Sequence, residues 1–307
     1  MRVAKTAQWR IITRRTSIIL IFFATICGIR VLAQTSATTG PERGTLVLVG
    51  GGATGQIVAP DPINRPVMKK FGQLAGGSAA RVVVIPTGGT DDVLTPGWLE
   101  KLRVRAQEVM GVDHVSVMHT RDRRQADSPE FVGPLKQATG VWIPGGHDLS
   151  LIDTYVGTRV EAEIKALLAR GGVVGGTSAG AVIQSSLATL GPGLGIIVDS
   201  AETPNGKILR VDATRPCWGL LTNSTIMPHW NTRKRPDLTP ALSTQPGLLG
   251  IGIDEDTAAI VQSSRLEVFG VGHVGIFDGK AHGGKSYYDL SQGESFDLRA
   301  RVPLPIK

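Results

Sequence analysis

What most constrains this chain is a recurrence of short runs that are apolar on both faces, separated by segments of helical period. The runs lie at residues 45–49, 81–86, 115–119, 140–144, 173–175, 250–253 and 258–262 and are rich in Val, Ile and Leu. A strand with one wet face alternates apolar and polar residues, whereas one that is apolar throughout has to be covered on both sides. Residues 66–75, 97–110 and 160–169 lie between these runs and carry helical patterns, the last ended by Arg170-Gly171-Gly172. Strands and helices in alternation imply an α/β fold, a mostly parallel sheet flanked by helices on both faces. From Arg265 the pattern changes to Gly-rich connections and alternating segments at 266–271, 273–278, 286–290 and 295–301, as expected of antiparallel C-terminal strands closing one sheet edge. The sequence has no internal repeat, which argues against a solenoid or propeller. One domain is expected over residues 44–307.

The formal net charge of +7 does not belong to that domain. Residues 1–33 hold six basic residues and no acid, leaving 27 basic against 26 acidic residues in the remainder. A near-neutral domain offers no electrostatic footprint for nucleic acid. The first 33 residues have the layout of a signal peptide: a basic start ending at Arg14-Arg15, an apolar run over 17–28, and Val31-Leu32-Ala33 as a small-residue cleavage site. A periplasmic or secreted protein is the consequence, with no stable membrane association after cleavage. The apolar run is short of the roughly 20 residues needed to span a bilayer, and an uncleaved anchor is the alternative. Residues 34–43 lack periodicity and read as a linker. Cys27 lies within the signal, so Cys217 is the one thiol left, and a single thiol makes no internal disulfide.

The densest chemical signal is Gly-Gly-Thr-Ser-Ala-Gly-Ala, residues 175–181, directly after an apolar strand and before a helical pattern. Within it, Gly176 to Gly180 reads Gly-X-Ser-X-Gly, a sharp turn that pushes Ser178 into the open at the sheet's carboxyl edge. A serine hydroxyl is a weak nucleophile until a base takes its proton, and the base needs a group to orient it. His229, after the apolar stretch 220–226, and His147, after Gly145-Gly146, are both candidates. The acids Asp254, Glu255 and Asp256 lie together between two apolar strands, where any of them could orient an imidazole or cap a turn. The amides of Gly145 and Gly146 end another strand and could help bind an oxyanion. The run Gly50-Gly51-Gly52 is superficially like a dinucleotide-binding loop, but the ribose-binding acid expected about 20 residues on is missing. Metal-ligand spacing is absent, and no cofactor is implied.

Three motifs together carry a family resemblance: residues 175–181, Pro-Gly-Gly-His-Asp-Leu at 144–149, and Gly-Ile-Gly-Ile-Asp-Glu-Asp-Thr-Ala at 250–258. In order and spacing the chain resembles the cyanophycinase and dipeptidase E group of serine peptidases, which are similar to class I glutamine amidotransferases in fold. The resemblance implies Ser178 as nucleophile, His229 as base and Glu255 as its orienting acid. It also implies oxyanion donors at the backbone of Ala179 and of Gly145 or Gly146. Arg233 and Arg235 stand at the first two arginine positions with which the family binds an acidic, β-linked aspartyl substrate. The chain departs from the family pattern in having Met227-Pro228 for Asp-Gln, Leu238 at the third arginine position, and Asp148 where a substrate-contacting glutamine is expected. The expectation is an exported hydrolase that cleaves peptide bonds near an aspartyl residue, as in cyanophycin or β-aspartyl peptides, and that could form a homodimer. An amidase or esterase on the same scaffold, or a shell that binds without turnover, are the alternatives.

Overall fold

The computed structural model describes residues 37–52, 66–190, 202–203, 206–207 and 210–305. The chain divides into Met1–Gln34 and Thr35–Lys307, and the stretch read as a signal peptide lies outside the described residues. In chain order the strands are β1 (Thr45–Val49), β2 (Arg81–Val84), β3 (His114–Val117), β4 (Gly140–Ile143), β5 (Val173–Thr177), β6 (Leu187–Leu190), β7 (Glu202–Thr203), β8 (Gly206–Lys207) and β9 (Arg210–Pro216). They continue as β10 (Ser224–Met227), β11 (Leu249–Ile253), β12 (Thr257–Gln262), β13 (Arg265–Gly270), β14 (Val274–Phe277), β15 (Tyr288–Leu290), β16 (Ser295–Asp297) and β17 (Val302–Leu304).

A nine-stranded sheet runs in the order β17-β16-β13-β12-β1-β5-β4-β2-β3. From β1 through β5, β4 and β2 to β3 every pairing is parallel, and from β1 outward through β12, β13, β16 and β17 every pairing is antiparallel. The doubly apolar strands are buried on both faces as expected. Along β1, Leu46 and Leu48 enter one hydrophobic core while Val47 and Val49 enter the other. On the second side Met68 and Phe71 of helix Pro66–Leu74 join Leu102 and Ala106 of helix Pro96–Met110. The first side is covered by helices Asp148–Tyr155 and Arg159–Ala169 through Leu151, Ile152, Ile164 and Leu167. The strand β3 is an exception to the two-faced reading: as the last strand of the sheet it has its first and third residues, His114 and Ser116, exposed.

The C-terminal strands are antiparallel but do not all close one edge. Three of them, β13, β16 and β17, extend the main sheet beyond β12, whereas β14 and β15 join β10 and β11 in a second sheet ordered β10-β11-β14-β15. Trp230 belongs to a third core, packed on the second sheet and separate from the two cores of the main sheet. Its buried indole lies against the backbone of the second sheet, where a Cβ built on Gly252 or Gly275 would approach the ring to 2.7 or 2.4 Å. Phe277 and Tyr287 pack edge-on against it, with ring centroids 5.9 and 5.0 Å away. Residues 38–41, within the stretch read as a linker, are fastened to the domain: Thr38 Oγ1 donates to the Asn223 carbonyl at 3.0 Å, and the Gly40 amide donates to Ser263 at 2.8 Å.

Candidate active site

Ser178 follows β5 directly and begins the short helix Ala179–Val182. Its backbone has φ 55° and ψ −122°, a conformation that costs a non-glycine residue about 1–3 kcal/mol and persists only where the surroundings dictate it. The surroundings are Gly180, where a Cβ would lie 1.9 Å from the Ile143 carbonyl oxygen, and Gly145, where a Cβ would lie 2.8 Å from Ser178 Cβ and 3.3 Å from Oγ. The turn therefore packs directly on the end of β4, and the serine emerges half-buried beside Gly145.

His229 stands two residues past β10, also at positive φ, 56°. Its Nε2 lies 2.8 Å from Ser178 Oγ and its Nδ1 lies 2.7 Å from Glu255 Oε1. The His229 and Glu255 side chains are 26% and 33% exposed, so the pair is sheltered yet open to a substrate. With the proton on Nδ1, that N–H donates to Glu255 and Nε2 is left to accept from the serine hydroxyl, the arrangement general-base activation requires. His147 is exposed, and its amide donates to the Gly88 carbonyl at 2.7 Å.

The three loops share one support. Consecutive carbonyls at the end of β1 accept one backbone amide from each: Val49 from Ser178 at 3.0 Å, Gly50 from His229 at 2.7 Å, and Gly51 from Asp256 at 3.2 Å. The glycine run that superficially resembles a nucleotide loop is thus the surface on which the site is assembled, and a Cβ on Gly51 would fall 2.3 Å from His229 Nδ1. Asn231 is a further contributor the motifs did not single out: its Oδ1 accepts the Glu255 amide at 3.0 Å.

The remaining predicted residues separate into two groups. Asp148 opens helix Asp148–Tyr155, is 4% exposed, and has its carboxyl pushed up to about 7 by burial, with nearby Arg233 opposing the shift. Burial in turn lowers the Arg233 guanidinium. The Arg233 amide donates to the His229 carbonyl at 3.0 Å, which ties its position to the imidazole loop. Arg235 instead directs its guanidinium at Asp254, Nη2 to Oδ2 at 2.5 Å. Thus, of the three neighbouring acids, Glu255 meets the imidazole, Asp254 meets Arg235, and Asp256 lies exposed beside Gly52. Leu238 and Met227 are fully buried in the core beneath the second sheet. Among the described residues no group of three or more His, Cys, Asp or Glu is placed to hold a metal.

Comparison with known proteins places the chain in a family. The chain is 32% identical over 281 residues to a cyanophycinase from Nostoc sp., covering 85% of this chain and 88% of that protein. It is 31% identical to a cyanophycinase from Geminocystis herdmanii, with 78% and 82% covered. In fold it is similar to the crystal structure of a peptidase from an acI-B1 Actinobacterium, with TM-score 0.59, 24% identity, and 84% and 98% of the two chains covered. The model of peptidase family S51 matches residues 46–269. This chain belongs to peptidase family S51 and is a serine hydrolase, a peptidase.

Proposed function

We propose that Ser178, His229 and Glu255 form the catalytic triad of this peptidase and that it cleaves peptides at aspartyl residues, with cyanophycin or β-aspartyl and Asp-X peptides as the substrate class. The observation that carries the reading is the unbroken chain from Ser178 Oγ to His229 Nε2 at 2.8 Å and from His229 Nδ1 to Glu255 at 2.7 Å. In the first step Ser178 Oγ attacks the scissile carbonyl carbon while its proton passes to His229 Nε2. Glu255 holds the resulting imidazolium in orientation without taking the proton. Backbone N–H groups of Ala179 and of Gly145 or Gly146 stabilise the oxyanion, supported by the approach of Gly145 to Ser178. The imidazolium then protonates the leaving amine, and an acyl-enzyme on Ser178 remains. Water, deprotonated by the same His229, hydrolyses it.

Arg233 and Asp148, electrostatically coupled and held next to the imidazole loop and the Gly145-Gly146 turn, are the residues assigned to substrate recognition. Leu238 belongs to the core, which leaves fewer cations here than the family's arginine pattern provides. Residues 1–33 are read as an export signal on the strength of their basic start and apolar run, and the enzyme as periplasmic or secreted. The test is incubation of purified protein with cyanophycin and a β-aspartyl dipeptide series, with products identified by mass. Cleavage is expected for the native chain and none for Ser178→Ala, which should also resist a fluorophosphonate that the native serine displaces fluoride from. Full turnover or labelling in Ser178→Ala would refute the nucleophile.

A further inference from the structure

The turn that follows His229 is unusual in its backbone. Lys234 and Arg235 join His229 at positive φ, 62° and 47°, and the Arg235 amide folds back to donate to the Trp230 carbonyl at 2.7 Å. This fold-back sends the Arg235 side chain over the Trp230 ring, with Cζ 5.3 Å from its centroid, and onto Asp254. There Nη2 meets Oδ2 at 2.5 Å and Nε meets Oδ1 at 3.3 Å, so both carboxylate oxygens are engaged. Oδ2 also accepts the His273 amide at 2.9 Å. The Asp254 side chain is 1% exposed, and a charge buried this deeply persists only with such partners.

The position of this pair in the chain gives it meaning. Trp230 directly follows His229, and Asp254 directly precedes Glu255. Beside the His229–Glu255 contact itself, the same two loops are joined by the Trp230 amide donating to the Ile253 carbonyl at 3.1 Å and by the Glu255 amide donating to Asn231 Oδ1 at 3.0 Å. Among these links, Arg235–Asp254 is the one made by opposite charges with two-point geometry, which fixes angle as well as distance.

We propose that Arg235 is a positioning residue, which through Asp254 and the face of Trp230 holds the His229 loop and the Glu255 loop at their working separation, rather than an arm that binds substrate. The proposal rests on the reading of Ser178, His229 and Glu255 as the triad. It assigns to Arg233 alone, of the two arginines, direct electrostatic recognition of an acidic substrate.

The test uses two fluorophosphonate probes, one with an uncharged alkyl group and one bearing a carboxylate, on the full chain and on Arg235→Lys and Asp254→Asn. Lysine keeps the charge but not the two-point geometry. A loosened imidazole misplaced by about 1 Å costs about 100-fold in rate. Both variants are therefore expected to lose about 100-fold in the limiting labelling rate with both probes, with unchanged half-saturating probe concentration and complete labelling at long times. Should Arg235→Lys be recovered unfolded, Asp254→Asn carries the same comparison. Wild-type limiting rates, a weaker half-saturation confined to the carboxylate probe, or a reduced labelled fraction at the wild-type rate would each overturn the proposal. Ser178→Ala serves as the control: labelling there would refute the triad itself, whereas a silent Ser178→Ala beside a fast Arg235→Lys would refute the positioning role alone.

Discussion

Gly51→Ala tests the assembly of the site at a residue that carries no functional group. The φ of Gly51 is outside the left-handed region, so alanine is compatible with the backbone and the effect of the substitution is steric. The added Cβ would stand 2.3 Å from His229 Nδ1, 2.4 Å from Cε1 and 3.1 Å from Glu255 Cγ, where contacts under 3.0 Å are essentially never found. An ordinary carbon to nitrogen contact is about 3.5 Å. The ring must therefore retreat by roughly 1 Å, which alone costs about 100-fold. Retreat also stretches the 2.7 Å bond between Nδ1 and Glu255 beyond hydrogen-bond reach. Losing the orienting carboxylate altogether takes the loss toward about 10⁴-fold. The expected fall in limiting phosphonate labelling rate is thus between about 10² and 10⁴, or about 3–5 kcal/mol of transition-state stabilisation. Overpacking should cost about 1–3 kcal/mol of stability, read from urea unfolding. A Gly51→Ala protein that folds and labels at the native rate would refute the claim that the end of β1 sets the imidazole.

Two further expectations concern buried groups. Because Asp148 holds its proton to about 7 when folded but ionises near 3.8 when unfolded, the unfolded chain binds fewer protons across that window, and stability must fall as pH rises from about 4 to about 7. At 1.36 kcal/mol per pH unit this amounts to about 4 kcal/mol. Asp148→Asn should match the native protein near pH 4 and exceed it in urea midpoint at pH 8; identical pH slopes would contradict the burial argument. Cys217 is buried, with its thiol pushed up to about 12 by burial, so in the native protein it should resist iodoacetamide at pH 8 and react once unfolded, as followed by peptide mass mapping. Alkylation of native Cys217 at the rate of a free thiol would count against it.

Legibility from sequence followed the physics of each part. Most of the parallel half was readable because β1, β2, β4 and β5 are apolar on both faces and end near glycine or proline, so pattern alone locates these four to within two residues. In the antiparallel half the strands and their direction were readable, but their division between two sheets was not. The strands β11 and β12 are three residues apart yet lie in different sheets, and periodicity names a strand without naming its partner. Gly252 and Gly275, which in sequence look like weak points of a strand, leave the second sheet the space into which Trp230 packs. At the site, Ser178 announced itself through local turn chemistry, whereas His229 could be told from His147 only by family resemblance, because the contact to Ser178 spans 51 positions of chain. Arg233 and Arg235 share one short segment but meet different partners, a divergence created by backbone angles at Lys234 and Arg235 that no composition or spacing encodes.

The support lent by β1 also bears on when activity can arise. Val47 pairs with Gly175 on one side and Ile260 on the other, so the first strand to be synthesised waits for partners from the middle and near the end of the chain. Contacts so distant in sequence form late, because loop closure must be completed before they stabilise anything. A nascent or truncated chain that lacks residues 257–262 has no second edge against which β1 can settle, and the three loops lose their common footing. Hydrolytic capacity should then appear late, only once the strand at 257–262 has been made and has docked on β1.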